Sequence, residues 1–295
     1  MSVRGLISLP LALVVGLSAL TGCASARGSG KPQVVASFYP LQFVAQEIVG
    51  SHADVADLTK PGVEPHDLDL SPRQAADVAA ADVVLHEQGL QPAVDEAVRN
   101  DGPKHVVDAA QVVKLRAAAD GPGKDPHFWL DPTLLAEVAQ SFTEAISAAD
   151  PKHATEYRAS DERLQSQLRA LDTAYSMGLA RCRSRTLVVS HDAFDYLGSR
   201  YHLTVHSIAG LSPDAEPSPR HLQELADLIR TDKITTVFSE RLASPKAADT
   251  LASDLGITTA ELDPIEGLTS SDPSDNYLSL MRKNLAAIQK AGGCT

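Results

Sequence analysis

The sequence predicts an α/β protein in which two parallel-sheet lobes are joined by one long linking helix. Eight short β-branched runs alternate with helical patterns, as strands of parallel sheets alternate with the helices that connect them. Between the two blocks, residues 151–180 have no proline after position 151 and a single glycine, with apolar residues at helical spacing. They predict a helix of about 45 Å. We therefore expect an N-terminal lobe over residues 33–150, the linking helix over 151–180 and a C-terminal lobe over 181–295.

The first block alternates strand and helix signals. A β-branched run over 34–38 precedes a helical pattern that stops at Gly50, and a second strand candidate covers 54–58. The Pro- and Gly-rich segment 59–66 indicates a loop, and Ser71-Pro72 then has the cap-plus-proline signature of a helix start. Further strands are expected over 82–85 and 105–107.

The second block repeats the alternation. Its strands are expected at four places, each followed by a turn or a helical pattern, and several end at a polar side chain. These strands cover 186–190, 204–208, 234–238 and 258–262.

The N-terminus predicts export. Arg4 precedes an apolar run from Leu6 to Leu20 that is too short and too interrupted to span a bilayer well. The run ends in Leu20-Thr21-Gly22-Cys23, which predicts a secretory signal over residues 1–22 and resembles a bacterial lipobox with Cys23 as the lipidated residue. A plain signal peptide with an incidental cysteine is the alternative. Residues 23–32 are small and polar, as in a flexible tether.

The charge of the chain limits the classes of ligand that it can bind, and its cysteines indicate the compartment. The chain has 26 Lys+Arg against 38 Asp+Glu, a formal net charge of −12, so we expect no nucleic-acid partner, whereas a cationic ligand is compatible. With Cys23 lipidated, Cys182 and Cys294 predict a disulfide in an oxidising compartment; two free thiols are the alternative.

A short aromatic motif, Asp125-Pro126-His127-Phe128-Trp129-Leu130-Asp131-Pro132, holds one candidate ligand. Each proline disfavours helix at the residue before it, so His127 lies on a stiff, non-helical backbone, and Asp131 predicts a helix cap. The motif alone fits a metal ligand and a histidine that only supports Trp129 equally well.

Candidate ligands collect where ligands bind in open α/β sheets, beyond the carboxyl ends of strands. In the second block, strands end at His191, Glu240 and Asp263. If the two lobes face each other, His66 and His127 of the first block lie in the same cleft. Three imidazoles and one carboxylate form a four-coordinate site of the type that Zn²⁺ takes, with no open position for catalysis. Imidazole also favours zinc over Mn²⁺. Of the two acids we favour Asp263 as ligand and expect Glu240 to orient one.

These motifs resemble the metal-specific (zinc and manganese) solute-binding proteins of ABC importers, cluster A-I, over essentially the whole mature chain. The resemblance implies ligands at His66, His127, His191 and Asp263, the zinc branch because His191 is not Glu, and delivery of the ion to a membrane permease. It also implies two lobes joined by one long helix. From the N-terminal motif we expect a protein anchored outside the cytoplasm by the lipid on Cys23, and we expect a monomer. The matching segments are Pro65-His66-Asp67, Ser71-Pro72, the motif at 125–132, Ser190-His191-Asp192-Ala193-Phe194, Ala215-Glu216-Pro217-Ser218, Phe238-Ser239-Glu240 and Leu262-Asp263-Pro264.

The chain departs from that family in two places. Many zinc members carry a His- and acid-rich loop before the second ligand motif, but residues 114–124 contain no histidine and one acid, so we expect no auxiliary zinc reservoir there. His86 and Gln91 stand where the family has Asn or Gly and then Glu. The roles of His86, His202 and His206 stay open. Alternative functions are a manganese-binding protein of the same family, a metal-stabilised adhesin, and a zinc hydrolase with Glu240 as general base.

Overall fold

The computed structural model describes residues 30–119, 123–269 and 275–295. The predicted signal peptide and the predicted lipidation site Cys23 lie outside these residues. Within them, no helix has both the length and the apolar composition that crossing a membrane requires.

The N-terminal lobe is built on one parallel sheet with the strand order β2-β1-β3-β4. Its strands are β1 (Gln33–Ala36), β2 (Asp54–Asp57), β3 (Val83–His86) and β4 (His105–Asp108). Its helices are α1 (Tyr39–Val49), α2 (Pro72–Ala80), α3 (Pro92–Asp101), α4 (Ala109–Val112) and α5 (Pro132–Ala149). Ser71 caps α2 and Asp131 caps α5, each accepting a backbone N–H with its side chain, as the Ser-Pro and Asp-Pro signals predict.

The C-terminal lobe follows the same plan with two parallel strand pairs. Its strands are β5 (Thr186–Val189) paired with β6 (Thr204–Ser207), and β7 (Thr236–Ser239) paired with β8 (Thr258–Glu261). Its helices are α7 (Asp195–Tyr201), α8 (Pro219–Thr231), α9 (Lys246–Leu255) and α10 (Tyr277–Gly292). The Ser190 hydroxyl donates to the Phe238 carbonyl at 3.1 Å and so joins the ends of β5 and β7. The α/β class with parallel sheets in two lobes is confirmed; the lobe boundaries stay predictions.

The linking helix is shorter than the sequence predicts. A 3-10 turn, Pro151–His153, precedes α6 (Ala154–Gly178), which has 25 residues. The Asp150 carboxylate accepts from the His153 ring at 2.6 Å and from the Tyr157 hydroxyl at 2.7 Å rather than capping backbone N–H groups, so α6 begins later than the Asp-Pro signal suggests.

One face of α6 is also part of the core, which the polar composition of the helix did not indicate. It packs against α5 and α1 of the N-terminal lobe and against α10 of the C-terminal lobe, so helices of both lobes share one apolar core. The buried side chains of this face are Tyr157, Leu164, Leu168, Leu171 and Tyr175.

The predicted disulfide between Cys182 and Cys294 is present. It joins the segment after α6 to the residues that follow α10, across 112 positions of sequence. In the chain-entropy view, a loop of this length stabilises the fold by about 4–5 kcal/mol. The bond therefore attaches the C-terminal helix to the end of the linking helix.

Candidate metal centre

His127 is held by the turn that precedes α5. The Asp125 Oδ1 atom accepts the His127 backbone N–H at 3.0 Å and contacts the ring Nδ1 at 2.7 Å. The adjoining Trp129 indole donates to the Pro264 carbonyl at 2.7 Å, which ties this turn to the other lobe. The ring is fully buried. Because a carboxylate only accepts, Nδ1 carries the hydrogen and Nε2 is left to face the cleft.

His191 repeats this arrangement in the C-terminal lobe. It follows β5, is fully buried, and its Nδ1 lies 2.6 Å from Oε1 of Glu240, which follows β7. Its Nε2 therefore also points into the cleft, 3.4 Å from Nε2 of His127. Glu240 thus contacts the nitrogen of His191 that faces away from the cleft, and its role in orienting a metal ligand stays a prediction.

His66 reaches the same place from the loop between β2 and α2. Both carboxylate oxygens of Glu64 accept its backbone N–H, at 3.0 and 3.1 Å, which shapes the loop locally. The side chain is 14 % exposed, whereas those of His127 and His191 are 0 % exposed. Within the described residues, no carboxylate contacts Nδ1 of His66, and its ring contacts acids through Nε2.

Glu266 completes the group. This fully buried residue lies in the loop after β8, and its Oε1 atom is 3.1 Å from Nε2 of His127, 3.3 Å from that of His191 and 3.4 Å from that of His66. One ligand atom from each of the four residues lies within 4.8 Å of the other three. Among the described residues, this is the one group of three or more His, Cys, Asp or Glu that could hold a metal ion.

Asp263, predicted as the fourth ligand, does not join this group; the carboxylate that lies among the three imidazoles is that of Glu266. The Asp263 Oδ1 accepts the Ile265 backbone N–H at 2.8 Å, and Oδ2 lies 3.5 Å from the Arg241 guanidinium. Burial raises the pKa of the Asp263 carboxyl to about 6, opposed by that amide and by Arg241. Asp263 is therefore occupied in building the turn that presents Glu266.

The charges of the group stabilise one another when no metal is bound. Burial alone would lower the pKa of His191, but hydrogen bonds to Glu240 and Glu266 raise it to about 10. The same balance, with Asp125 and Glu266 as partners, raises the pKa of His127. Burial would raise the pKa of Glu266, and the three imidazoles hold it well below its usual range. A dication that takes over the carboxylate would displace the protons from the imidazoles.

The histidines whose roles were open lie outside the group. The buried His86 has its Nδ1 3.5 Å from Asp95 Oδ1, in a surface cavity beside α3. His202 ends α7 in the left-handed conformation, and His206 lies within β6.

Comparison with known proteins identifies the family of the chain. Residues 34–291 match the family described as zinc-uptake complex component A, periplasmic (ZnuA). The chain is 31% identical to the zinc-binding lipoprotein AdcA of Streptococcus pneumoniae, over 96% of this chain and 60% of that protein, so it spans about 60% of the relative's length. It is also 31% identical to the high-affinity zinc uptake system protein ZnuA of Bacillus subtilis, over 95% and 93% of the two chains.

A solved structure gives the same result. The Zn(II)-bound ZnuA-like domain of S. pneumoniae AdcA superimposes with a TM-score of 0.78 and 31% identity, covering 89% of this chain and 99% of that one. The chain therefore belongs to the ZnuA family, the periplasmic component A of zinc-uptake complexes.

Proposed function

We propose that this protein captures Zn²⁺ outside the cytoplasm and delivers it to a membrane ABC permease. The observation that carries the proposal is the convergence of His66, His127, His191 and Glu266, whose ligand atoms lie within 4.8 Å of one another. Zinc takes four such ligands in a tetrahedron, with bonds of about 2.0–2.2 Å. Three imidazoles and one carboxylate on separate segments supply that set.

The number of ligands favours a cargo site over a catalytic one. A catalytic zinc keeps three protein ligands and an open position for water, whereas four protein ligands close the coordination sphere. Glu240, which a hydrolase would need as general base, is instead bound to Nδ1 of His191 at 2.6 Å. The protein is therefore proposed to bind and release the ion without acting as an enzyme.

The composition of the site favours zinc over manganese. Imidazole nitrogen suits Zn²⁺, and the Irving–Williams order places zinc above Mn²⁺ for such ligands. The Asp125 and Glu240 carboxylates behind the two buried imidazoles raise their basicity as ligands and lower the cost of placing a dication in a buried site.

The first experiment measures the metal itself. Elemental analysis of protein purified without added metal is expected to find one zinc per chain, and a chelator competition titration is expected to give far tighter binding of Zn²⁺ than of Mn²⁺. His191→Ala is the matched site variant and should lose the metal, whereas His202→Ala, outside the group, should keep it. Equal or tighter binding of Mn²⁺ would contradict the proposal.

Delivery and anchoring are tested in the cell. Deletion of the gene should impair growth in zinc-depleted medium, and a copy with His191→Ala should not restore it. The sequence Leu20-Thr21-Gly22-Cys23 and the lipoprotein name of the pneumococcal relative support a lipid anchor on Cys23. Cys23→Ala should therefore abolish labelling by a radioactive fatty acid, and the purified soluble part is expected to sediment as a monomer.

A further inference from the structure

The turn that carries Glu266 adopts a strained conformation. Ile265 has φ +60°, in the left-handed region that β-branched residues rarely adopt. Such a conformation persists only where the surroundings enforce it. Neighbouring groups do so here, because the Asp263 carboxylate accepts the Ile265 N–H at 2.8 Å and the Pro264 carbonyl accepts the Trp129 indole N–H at 2.7 Å.

The start of this turn is fixed to α10. The Asn284 side chain accepts the Asp263 backbone N–H at 2.9 Å and donates to the Asp263 carbonyl at 2.6 Å. Asp263 and Asn284 are both buried. Both the N–H and the C=O group of Asp263 are therefore bound, which fixes the backbone before Glu266. The position of the Glu266 side chain then also depends on the segment that follows it.

Arg241 ties that following segment back to the turn. Its Nη1 lies 3.5 Å from Asp263 Oδ2 and 3.3 Å from Asp275 Oδ2, and its Nη2 donates to the Thr269 hydroxyl at 2.9 Å. Its partners thus lie on both sides of Glu266 in the sequence. The side chain is 16 % exposed, so water screens these contacts less than at a free surface.

We propose that Arg241 is a positioning residue for metal binding, which holds Asp263 to Thr269 in the shape that brings Glu266 to the three imidazoles. The inference rests on the proposed zinc-binding function and adds to it. Arg241 also directs the choice of ligand, because its guanidinium contacts the carboxylate of Asp263, which lies outside the metal group. The adjacent residue Glu240 orients His191, so consecutive residues after β7 serve two of the four ligands.

A double-mutant cycle separates this role from a general contribution to stability. Arg241→Gln should weaken zinc binding by about tenfold to a hundredfold, the usual cost of losing a group that orients a ligand. Glu266→Gln should weaken it further, and the double variant should bind no more weakly than Glu266→Gln alone, because Arg241 acts through Glu266. Arg230→Gln removes an exposed ion pair with Asp227 in the same lobe and should leave the affinity unchanged.

Two further measurements keep the test decisive. The absorption spectrum of the Co²⁺-substituted protein should change in Arg241→Gln, since the carboxylate ligand moves, and Arg241→Lys should restore part of the affinity. If Arg241→Gln fails to fold, as judged by its Tm, Arg241→Lys and Asp263→Asn each take its place in the double-mutant cycle with Glu266→Gln. A lower Tm with unchanged zinc affinity and cobalt spectrum, or additive losses in the cycle, would overturn the inference. Wild-type protein that binds no zinc would instead refute the proposed function.

Discussion

The two halves of the proposed metal centre are held in different ways. His127 and His191 lie at the ends of regular elements, are fully buried, and each has Nδ1 within 2.7 Å of a carboxylate oxygen. Their Nε2 atoms are therefore fixed before any metal arrives. These two residues form the rigid half of the site.

The other half is carried by loops. His66 is partly exposed and lies in the loop after β2, and Glu266 lies in the loop after β8. The two loops contact each other, since the Gly62 N–H donates to the Leu268 carbonyl at 2.7 Å. We therefore expect the rigid half to determine the affinity for the ion, and the loop half to move when the ion enters and leaves.

The largest expected effect is the loss of a ligand from the rigid half. A structural zinc site is worth about 10–16 kcal/mol over four ligands, or roughly 3 kcal/mol each, so His191→Ala should weaken zinc binding by about a hundredfold or more. His66→Ala should cost less, because water can take the place of a ligand at the exposed side. Chelator competition measures both variants, and a greater loss for His66→Ala would reverse the comparison.

The next largest loss of zinc affinity should follow changes to the carboxylates that contact Nδ1 of His127 and His191. Asp125→Asn and Glu240→Gln keep the size of the side chain but remove the charge that orients and polarises each imidazole. Zinc affinity should fall by about tenfold to a hundredfold for each variant. Glu64→Gln is the matched control in the loop half, since Glu64 binds the His66 backbone rather than Nδ1, and it should cost clearly less. Equal losses in all three variants would remove the distinction between the halves.

Sequence patterns predicted the rigid half better than the loop half, for a physical reason. Strand periodicity and Asp-Pro signals locate the ends of elements, and His127 and His191 lie at such ends. Glu240 was recognised for the same reason, because it directly follows β7.

Glu266 has no such signal. It lies three residues after Asp263, beyond a turn whose shape depends on contacts with Trp129, Arg241 and Asn284 from distant parts of the chain. A periodicity ends where the strand ends, so it favours the acid nearest to the end of β8, which is Asp263. The sequence Asp263-Pro264-Ile265-Glu266 contains a second carboxylate three residues later, but the turn that brings it among the imidazoles depends on contacts that no local pattern encodes.

The rigid half should also dominate the pH dependence. The pKa of His191 is raised to about 10 against ~6.5 for an unperturbed histidine. Zinc must displace that proton, so affinity should rise with pH up to about pH 10, by about tenfold per pH unit for each imidazole that is still protonated. The metal-free fold should respond in the opposite sense. A raised pKa stabilises it fully below about pH 6.5, and that stability is lost as the pH rises through the folded value.

Titrations between pH 6.5 and 8.5, with melting curves of metal-free and zinc-loaded protein at pH 7 and 9, measure both trends. The Tm of the metal-free protein should fall with pH while the increase caused by zinc becomes larger. In His191→Gln, the Tm of the metal-free protein should fall less with pH. Affinity that does not change with pH in this window would show that the buried imidazoles are not protonated in the metal-free protein.

The smallest expected effect of zinc is on hydrogen exchange in the linking helix. This measurement distinguishes local ordering of loops from movement of the lobes. α6 packs against helices of both lobes within one shared core, and the disulfide fixes the segment after it to the end of α10. Bending α6 would disrupt those contacts. The loop at 60–66, exposed from Lys60 to Val63, has few contacts to lose, and the turn at 263–269 is held by individual hydrogen bonds rather than by regular secondary structure. Hydrogen exchange with and without zinc should therefore show new protection in those loops, most directly at the Gly62 amide, which donates across the cleft to Leu268. Protection along Ala154–Gly178 should change little. Strong zinc-dependent changes within α6 would mean that the helix bends on binding, and the loops would then not be the moving part.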